Sequence, residues 1–400
     1  MTLLPATISG ADWTSRDDLA QLVAALGHRT IRWVGGAVRD TLLGQSVADI
    51  DAATTHRPDV VIALCKAAGI RTVPTGIAHG TVTALLAGGT VEVTTLRHDV
   101  ATDGRRATVA FADDWREDAA RRDFTINALY ADPATLEVFD YFGGVADLAT
   151  RRVRFIGDAR QRIAEDHLRI LRYFRFQARF GGLVDGDAQA ACRDLAHTLK
   201  GLSRERVAME LLAILALPDP SGAVASMADL GVLAVVLPEA GEDERAMLPA
   251  LLSAEQREGV SPDPFRRFAA MLPADPKRAD ATAARFRLST AQRKRLGLAA
   301  GRRTMLPGSS EDCSARALAY RFGFEGACDL LLLSGQSIAP LIGWAIPRLP
   351  LKGGEIVARG VSAGPEVARI LRAVERRWIA EGFPSRSRVE EVLGEELPLT

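Results

Sequence analysis

The amino-acid sequence predicts an α+β fold, with a mixed domain of strands and helices first and helices alone in the remainder. Over residues 1–150, short segments of strand character alternate with helical ones. After a first strand near 31–34 and a second that carries residues 49–51, the predicted strands are 70–73, 81–86 and 91–96. From residue 158 onwards apolar residues recur at the helical period, with Pro- or Gly-containing breaks near 218, 238, 262, 306 and 347. A chain of 400 residues is longer than one core usually serves, so we expect about two to four structural units.

Several helices are predicted with defined ends. One spans about 15–26, with Ser15 as its cap and an apolar stripe of Leu19, Leu22, Val23 and Leu26. A second covers 58–68. Later in the chain, Ser203 caps a helix that runs through Leu215, and Pro365 begins a last long helix to about Ala380.

The composition is that of an ordinary globular protein, with 48% hydrophobic and 25% charged residues. No apolar run approaches the roughly 18 residues of a membrane span, and the start of the chain lacks the pattern of a signal peptide, so we expect a cytoplasmic protein without a membrane partner. The cysteines are scattered, which favours buried thiols over disulfides or zinc ligands. They are Cys65, Cys192, Cys313 and Cys328.

Charge is balanced overall but uneven along the chain. Lys plus Arg equals Asp plus Glu, 50 against 50. Residues 151–180 nevertheless contain nine arginines against three acids, and residues 285–303 contain seven basic residues and no acid. Such stripes can follow a phosphate backbone, although arginine-rich helix surfaces are also common.

Residues 31–51 combine a glycine turn with two carboxylates. A short strand is broken at Gly35-Gly36, a helix of about two turns follows, and a second strand carries Asp49 and Asp51. Two residues apart on a strand, these carboxylates share one face. Mg²⁺ prefers one or two carboxylates with phosphate oxygens, and amides at a glycine turn suit a phosphate. Either feature alone is common, but together they predict a metal and phosphate site.

Two nearby segments extend this candidate site. Glu92 lies between Val91 and Val93 and is either a third acid for the metal or a solvated edge residue. Residues 97–106 have no hydrophobic periodicity and are predicted to form a mobile loop. The segment 121–129 begins with Arg121 and Arg122, which could grip a triphosphate or form a surface ion pair with Asp123.

A predicted helix over 158–180 carries polar residues every three positions: Asp166, Arg169, Arg172 and Arg175. One interpretation is a ladder of ion pairs that includes Glu165 with Arg169. The other is recognition of a base, because Asp accepts from the amine of cytosine or adenine while Arg donates to a ring acceptor.

Taken in order, these motifs resemble those of class II tRNA nucleotidyltransferases, the CCA-adding enzymes. The motifs are Gly35-Gly36-x-Val38-Arg39-Asp40, Asp49-x-Asp51, Arg121-Arg122-Asp123-Phe124-Thr125-Ile126-Asn127, Glu165-Asp166-x-x-Arg169-x-x-Arg172-x-x-Arg175 and Ser203-x-Glu205-Arg206. They cover residues 31 to about 215, and a Leu-Lys-Gly-Gly…Gly-Pro element at 351–365 extends the match.

The resemblance implies a polymerase-β-like nucleotidyltransferase head at 1–150, followed by an all-helical neck at 151–216, body at 217–305 and tail at 306–400. It implies that Asp49 and Asp51 are catalytic and hold Mg²⁺. The residues implied to bind the nucleotide are Gly36, Arg39 and Arg122 at the triphosphate and Asp166 and Arg169 at the base, with Arg172 and Arg175 completing the nucleotide pocket.

The resemblance also implies the substrates and partners. CTP and ATP would be added to tRNA as CCA, the loop 97–106 would help the switch from CTP to ATP, and the stripe 285–303 would support tRNA. No obligate protein partner is evident. Three alternatives remain: a poly(A) polymerase, a partial enzyme that adds only CC or only A, and a tRNA-binding protein without catalysis.

Overall fold

The computed structural model describes residues 7–102, 107–305 and 314–397. The chain divides into two compact units, Met1–Val236 and Leu237–Thr400. The first unit contains strands and helices, and the second contains helices, which confirms the predicted α+β class.

A mixed sheet forms the centre of the first unit. The strands of this unit are β1 (Ile31–Val34), β2 (Ile50–Thr54), β3 (Arg71–Gly76), β4 (Thr81–Leu86), β5 (Gly89–Thr95), β6 (Arg97–Thr102), β7 (Ala107–Phe111), β8 (Leu129–Ala131) and β9 (Val138–Asp140). Seven of these described strands make one sheet in the order β3-β4-β5-β2-β1-β8-β9, where only β2 and β5 pair in parallel. The strands that flank the glycine turn therefore lie in the middle of the sheet, where Ile31 and Val34 are buried.

Helices pack around this sheet and continue beyond it. They are α1 (Asp17–Leu26), α2 (Gly36–Leu42), α3 (Pro58–Ala67), α4 (Trp115–Ala120), α5 (Gly144–Ala149), α6 (Ala159–Glu165), α7 (Arg169–Phe180), α8 (Gly186–Leu195), α9 (Arg204–Leu215), α10 (Ser221–Asp229) and α11 (Val232–Val236). The apolar stripe predicted for α1 is buried, but its predicted cap is wrong. Arg16 occupies the cap position, because Ser15 belongs to a preceding 3-10 turn in which its hydroxyl donates to the Asp12 carbonyl. Ser203, by contrast, does cap α9, accepting from the Arg206 amide.

The segment predicted as a mobile loop over 97–106 is in part regular structure. Residues 97–102 form β6, which pairs antiparallel with β7, and residues 103–106 lie outside the described residues. Strand pairing satisfies the backbone hydrogen-bonding groups whatever the side-chain pattern. A two-stranded sheet can therefore form without the hydrophobic periodicity on which the sequence prediction depended.

The predicted helix over 158–180 is two helices, α6 and α7. The break occurs at Asp166, whose backbone is extended (φ −149°, ψ 103°). Its carboxylate accepts the Leu168 amide and its carbonyl accepts the Arg169 amide, so Asp166 satisfies donors at the start of α7. Asp166 is consequently not on the helix that carries the three arginines.

The second unit is helical throughout its described residues. Its helices are α12 (Glu242–Arg257), α13 (Pro264–Ala270), α14 (Pro276–Arg285), α15 (Thr290–Ala300), α16 (Arg302–Met305), α17 (Ala315–Leu333), α18 (Gly353–Val357), α19 (Pro365–Ala380) and α20 (Arg386–Glu396). The helix from Pro365 to Ala380 is present as predicted, but α20 follows it, so it is not the last. Trp378 of α19 and Leu393 of α20 belong to one buried cluster in this unit.

Arginines of the basic stripe over 285–303 form ion pairs with acids within the second unit. Arg285 pairs with Glu239 at 2.6 Å and Arg293 with Asp280 at 2.7 Å. Arg295 pairs with Asp329 at 2.6 Å. A count of basic residues along the sequence therefore overstates the positive charge that this segment presents to a partner.

Two further findings concern membrane-spanning helices and the cysteines. Among the described residues, no helix is long and apolar enough to cross a membrane. Cys65, Cys192 and Cys328 are buried free thiols, as predicted, and Cys313 lies outside the described residues.

Candidate active site

Arg122 lies beside the glycine turn between the end of β1 and the start of α2. Gly35 has a positive φ of 69°, which favours glycine, and its amide donates to the Leu129 carbonyl at 3.0 Å. A Cβ added at Gly35 would lie 3.6 Å from Nη1 of Arg122. Gly36, the predicted phosphate contact, is the first residue of α2. The turn and Arg122 thus lie side by side, although Gly35 and Arg122 are 87 positions apart in the sequence.

The two predicted metal ligands lie on either side of the start of β2. The strand begins at Ile50, which is buried, so Asp49 precedes it and is exposed while Asp51 is half-buried within it. In the parallel pairing of β2 with β5, Asp51 lies opposite Glu92. The strand therefore starts one residue later than predicted, and Glu92 does lie next to the Asp pair.

Electrostatics supports a cation at these carboxylates. Burial and the neighbouring charge of Glu92 raise the pKa of Asp51 to about 6, with Asp49 acting in the same direction and Arg122 against it. Carboxylates that repel one another in this way are the hard oxygen donors that a divalent cation binds. Among the described residues, no three His, Cys, Asp or Glu side chains are arranged to hold a metal by themselves. Mg²⁺ needs no such cage, because it commonly takes one or two carboxylates with substrate phosphate and water.

The partner of the arginine pair is Asp118, and the predicted ion pair with Asp123 is wrong. Asp118 of α4 pairs with Arg121 at 2.7 Å and with Arg122 at 3.2 Å. Tyr130 donates to the same carboxylate at 2.6 Å. Asp118 lies three and four residues before the arginines, the spacing at which helical side chains meet. That spacing was the signal in the sequence from which this contact could have been found.

Arg39 is enclosed at the start of α2. It is only 4% exposed, and it donates to Asp40 at 2.8 Å and to Asn127. Its guanidinium also lies over the ring of Phe180, 4.4 Å from the centroid. These contacts fix its charge close to Gly36, whose added Cβ would lie 3.8 Å from the Arg39 Nη2.

Asp123 joins this region to α7. It is 7% exposed, and it accepts from Asn127 at 3.0 Å and from Arg172 at 2.8 Å. Burial by itself would raise its pKa, but Arg172 and Asn127 lower it to about 2. Arg175, the next predicted nucleotide contact, pairs with Glu210 of α9 at 2.8 Å.

The predicted base-reading residues lie at the break between α6 and α7. Asp166 accepts from Arg206 of α9 at 2.7 Å. Arg169 pairs with Glu165 at 2.6 Å, as the ion-pair interpretation predicted, and it also donates to the Arg121 carbonyl at 2.8 Å. The two sets of predicted residues therefore meet along the short segment from Arg121 to Asp123.

Comparisons with known proteins concern the family of the chain. A family model described as "Poly A polymerase head domain" matches residues 31–154, and one described as "Probable RNA and SrmB- binding site of polymerase A" matches residues 184–243. The mitochondrial CCA tRNA nucleotidyltransferase 1 of Mus musculus is 37% identical over 385 residues, which cover 91% of this chain and 86% of the mouse protein.

Two solved structures share the fold. One is the Bacillus stearothermophilus CCA-adding enzyme in complex with CTP, with a TM-score of 0.74 and 24% identity over 95% of this chain and 98% of that one. The other is the Thermotoga maritima CCA-adding enzyme complexed with tRNA, with a TM-score of 0.69 and 20% identity over 99% of this chain and all of that one, 100%. Given the identity to the mouse enzyme over most of both chains, this chain belongs to the CCA tRNA nucleotidyltransferases and is an enzyme of that type.

Proposed function

We propose that this enzyme adds C, C and A to the 3′ end of tRNA, using CTP and ATP and releasing pyrophosphate. The observation that carries the proposal is the position of Arg122, which lies beside the glycine turn and is close enough to Asp51 for its charge to oppose the rise in the pKa of that carboxyl. A cationic phosphate grip beside paired carboxylates is what nucleotidyl transfer requires. The printed names of the mouse, Bacillus and Thermotoga proteins support the same substrates.

In the reaction, the 3′-hydroxyl oxygen of the tRNA forms a bond to the α-phosphorus of the nucleotide. The hydroxyl proton is released to solvent, the bond from that phosphorus to the bridging oxygen breaks, and pyrophosphate leaves. Asp49 and Asp51 would hold Mg²⁺, which when bound favours deprotonation of the hydroxyl and offsets charge on the leaving group. Arg122 and the amide of Gly36 would orient the triphosphate. Arg39, already held by Asp40 and Asn127, would contribute its fixed positive charge rather than a new hydrogen bond.

Base choice would depend on Asp166 and Arg169. The carboxylate accepts from the exocyclic amine that cytosine and adenine share, and the guanidinium donates to a ring acceptor. Uracil and guanine present the opposite polarity there. Arg172 and Arg175 would complete the pocket from α7, each already held by an acid.

The proposed domains refine the division into two units. We propose a head at 1–150, a neck at 151–216, a body at 217–305 and a tail at 306–400, so the unit boundary after Val236 falls within the proposed body. The hairpin β6–β7 with residues 103–106 would assist the change from CTP to ATP. The stripe 285–303 would support tRNA. The cytoplasmic location stays a prediction, since the mouse relative is named as mitochondrial.

The test uses a tRNA transcript that lacks its terminal CCA, incubated with CTP, ATP or both. We expect two C additions with CTP alone, one further A when ATP is present, and then no extension. Asp51→Asn is the negative control, because it removes a metal ligand while keeping nearly the same side-chain volume. Long adenylate tails from ATP without a CTP requirement would favour a poly(A) polymerase. Addition of only CC or only A would favour a partial enzyme, and tRNA binding without any incorporation would favour a binding protein.

A further inference from the structure

Asp118 is a buried carboxylate at the centre of a hydrogen-bond cluster behind the phosphate-binding surface. Its relative exposure is 0%, and its cluster includes Arg121, Arg122, Tyr130 and the backbone of Arg97. One carboxylate oxygen accepts from Nε of Arg121 at 2.8 Å and from the Arg97 amide at 3.3 Å. The other accepts from the Tyr130 hydroxyl at 2.6 Å and from Nη2 of Arg122 at 3.2 Å. Both oxygens of the carboxylate are thus engaged.

The cluster binds one edge of the Arg122 guanidinium, formed by Nε and Nη2. Its Nη2 donates to Asp118, and its Nε donates to the Tyr130 hydroxyl at 3.1 Å. Its Nη1 lies toward Gly35, 3.6 Å from where a Cβ would be. A free arginine side chain has several rotatable bonds, and fixing them at the moment of binding costs conformational entropy. An arginine already held by two buried partners avoids that cost.

We propose that Asp118 is a positioning residue for Arg122, which keeps the guanidinium at the glycine turn where the triphosphate of the incoming nucleotide binds. The inference rests on the proposed function, since it assigns Arg122 to the triphosphate. The alternative is that Asp118 forms ordinary helix ion pairs that stabilise α4 alone. The two roles differ in what a variant changes, because positioning affects nucleotide binding and a purely structural role affects the folded fraction.

Asp118→Asn keeps the side-chain volume and removes the charge. We expect the KM for CTP and for ATP to rise about tenfold, the effect of losing a buried hydrogen bond to a charged group, with the KM for tRNA unchanged. Combined with Arg122→Ala, the substitution should add little, because the group that it positions is already gone. Asp185→Asn is the matched control. Asp185 is also a buried carboxylate, 4% exposed, but it pairs with Arg152 and caps α8, so its nucleotide KM values should stay unchanged.

A second variant, Tyr130→Phe, and a direct measurement of nucleotide binding keep the test valid even if Asp118→Asn folds poorly. Tyr130→Phe removes one hydroxyl from the cluster and should raise the nucleotide KM values about threefold. Titration calorimetry with CTP and with CMP, which lacks the two outer phosphates, then shows whether the loss of affinity depends on the triphosphate. A positioning role predicts that both variants weaken CTP binding more than CMP binding.

Three results would overturn the inference: unchanged KM values in both variants, equal weakening of CTP and CMP, or full additivity with Arg122→Ala. Failure of the proposed function has a different signature. In that case the wild-type protein itself would neither bind CTP nor extend the tRNA.

Discussion

Asp123 is one of the residues that connect α7 with the surroundings of Arg39. Its carboxylate accepts from Asn127, which in turn accepts from Arg39, and it also accepts from Arg172 on α7. A buried carboxylate in charge-assisted hydrogen bonds is held more firmly than an exposed one. A shift of α7 would therefore disturb the surroundings of Arg39, and the reverse also holds.

This connection predicts a pH dependence of stability. The pKa of Asp123 is about 2 in the folded protein, below the ordinary value of 3.8, so its contribution is present above pH 3.8 and is lost as the pH falls toward 2. The free energy of unfolding of the wild-type protein should therefore exceed that of Asp123→Asn by about 1 kcal/mol more at pH 6 than at pH 3. Urea unfolding at the two pH values measures this change. A difference that is the same at both would show that the carboxylate is not held in this way.

The sequence predicts which residue types gather at the site better than it predicts their partners. The glycine turn, the Asp pair and the arginines were evident because each type has a restricted chemistry. Asp123 lies next to Arg122 in the chain, yet it pairs with Arg172, 49 positions away, while Asp118 takes both arginines. The spacing of three and four residues could have indicated the Asp118 contacts. The pairing of Asp123 with Arg172 depends instead on how α7 packs against this segment, and no local pattern contains that information.

At the scale of elements, the break between α6 and α7 gives Asp166 its position. Because the residue is extended rather than helical, its carboxylate is reached by Arg206 from α9, which also carries Glu210, the partner of Arg175. The sequence predicted a continuous helix here, since apolar residues keep the helical period on both sides of the break. Periodicity indicates which residues are buried. When the apolar period continues across a break between two helices, the sequence pattern does not reveal the break.

Arg206→Ala should therefore weaken base choice more than it slows the chemistry. Without Arg206, the Asp166 carboxylate keeps the hydrogen bond from the Leu168 amide but loses the one that fixes its other oxygen, so its orientation toward a base is less well defined. A good base contact is worth about 1–3 kcal/mol of discrimination. We expect the ratio of kcat/KM for CTP to that for UTP to fall about tenfold. Arg204→Ala is the control on the same helix, because Arg204 donates only to the Lys200 carbonyl among the contacts described for it. If both variants keep the wild-type ratio, Arg206 does not orient the base-reading residue.

At the scale of the whole molecule, the first unit, which contains the predicted nucleotide site, and the second unit each have a buried cluster of their own. The residues proposed above to be catalytic or to bind the nucleotide all lie within Met1–Val236. A buried cluster that includes Val34, Ala53 and Tyr130 supports the sheet near the glycine turn, and the cluster around Trp378 lies within Leu237–Thr400. The sequence predicted that more than one unit exists from length alone. Where one unit ends could not be derived from it, because helices precede and follow Val236.

Two cores of this kind predict two thermal transitions that respond to different perturbations. On the proposed function, CTP with Mg²⁺ binds the folded first unit, so at a concentration of about 100 times its Kd it should stabilise that unit by about 2.7 kcal/mol and raise the Tm of one transition. Trp378 is 2% exposed, and Trp378→Ala should cost about 3–5 kcal/mol and lower the Tm of the other transition. Differential scanning calorimetry of both proteins with and without CTP measures the four cases. Trp378→Phe, which refills part of the cavity, should shift the same transition by less. If CTP raised the transition that Trp378→Ala lowers, nucleotide binding would have to involve the second unit, and the assignment of the site to residues 1–236 alone would be wrong.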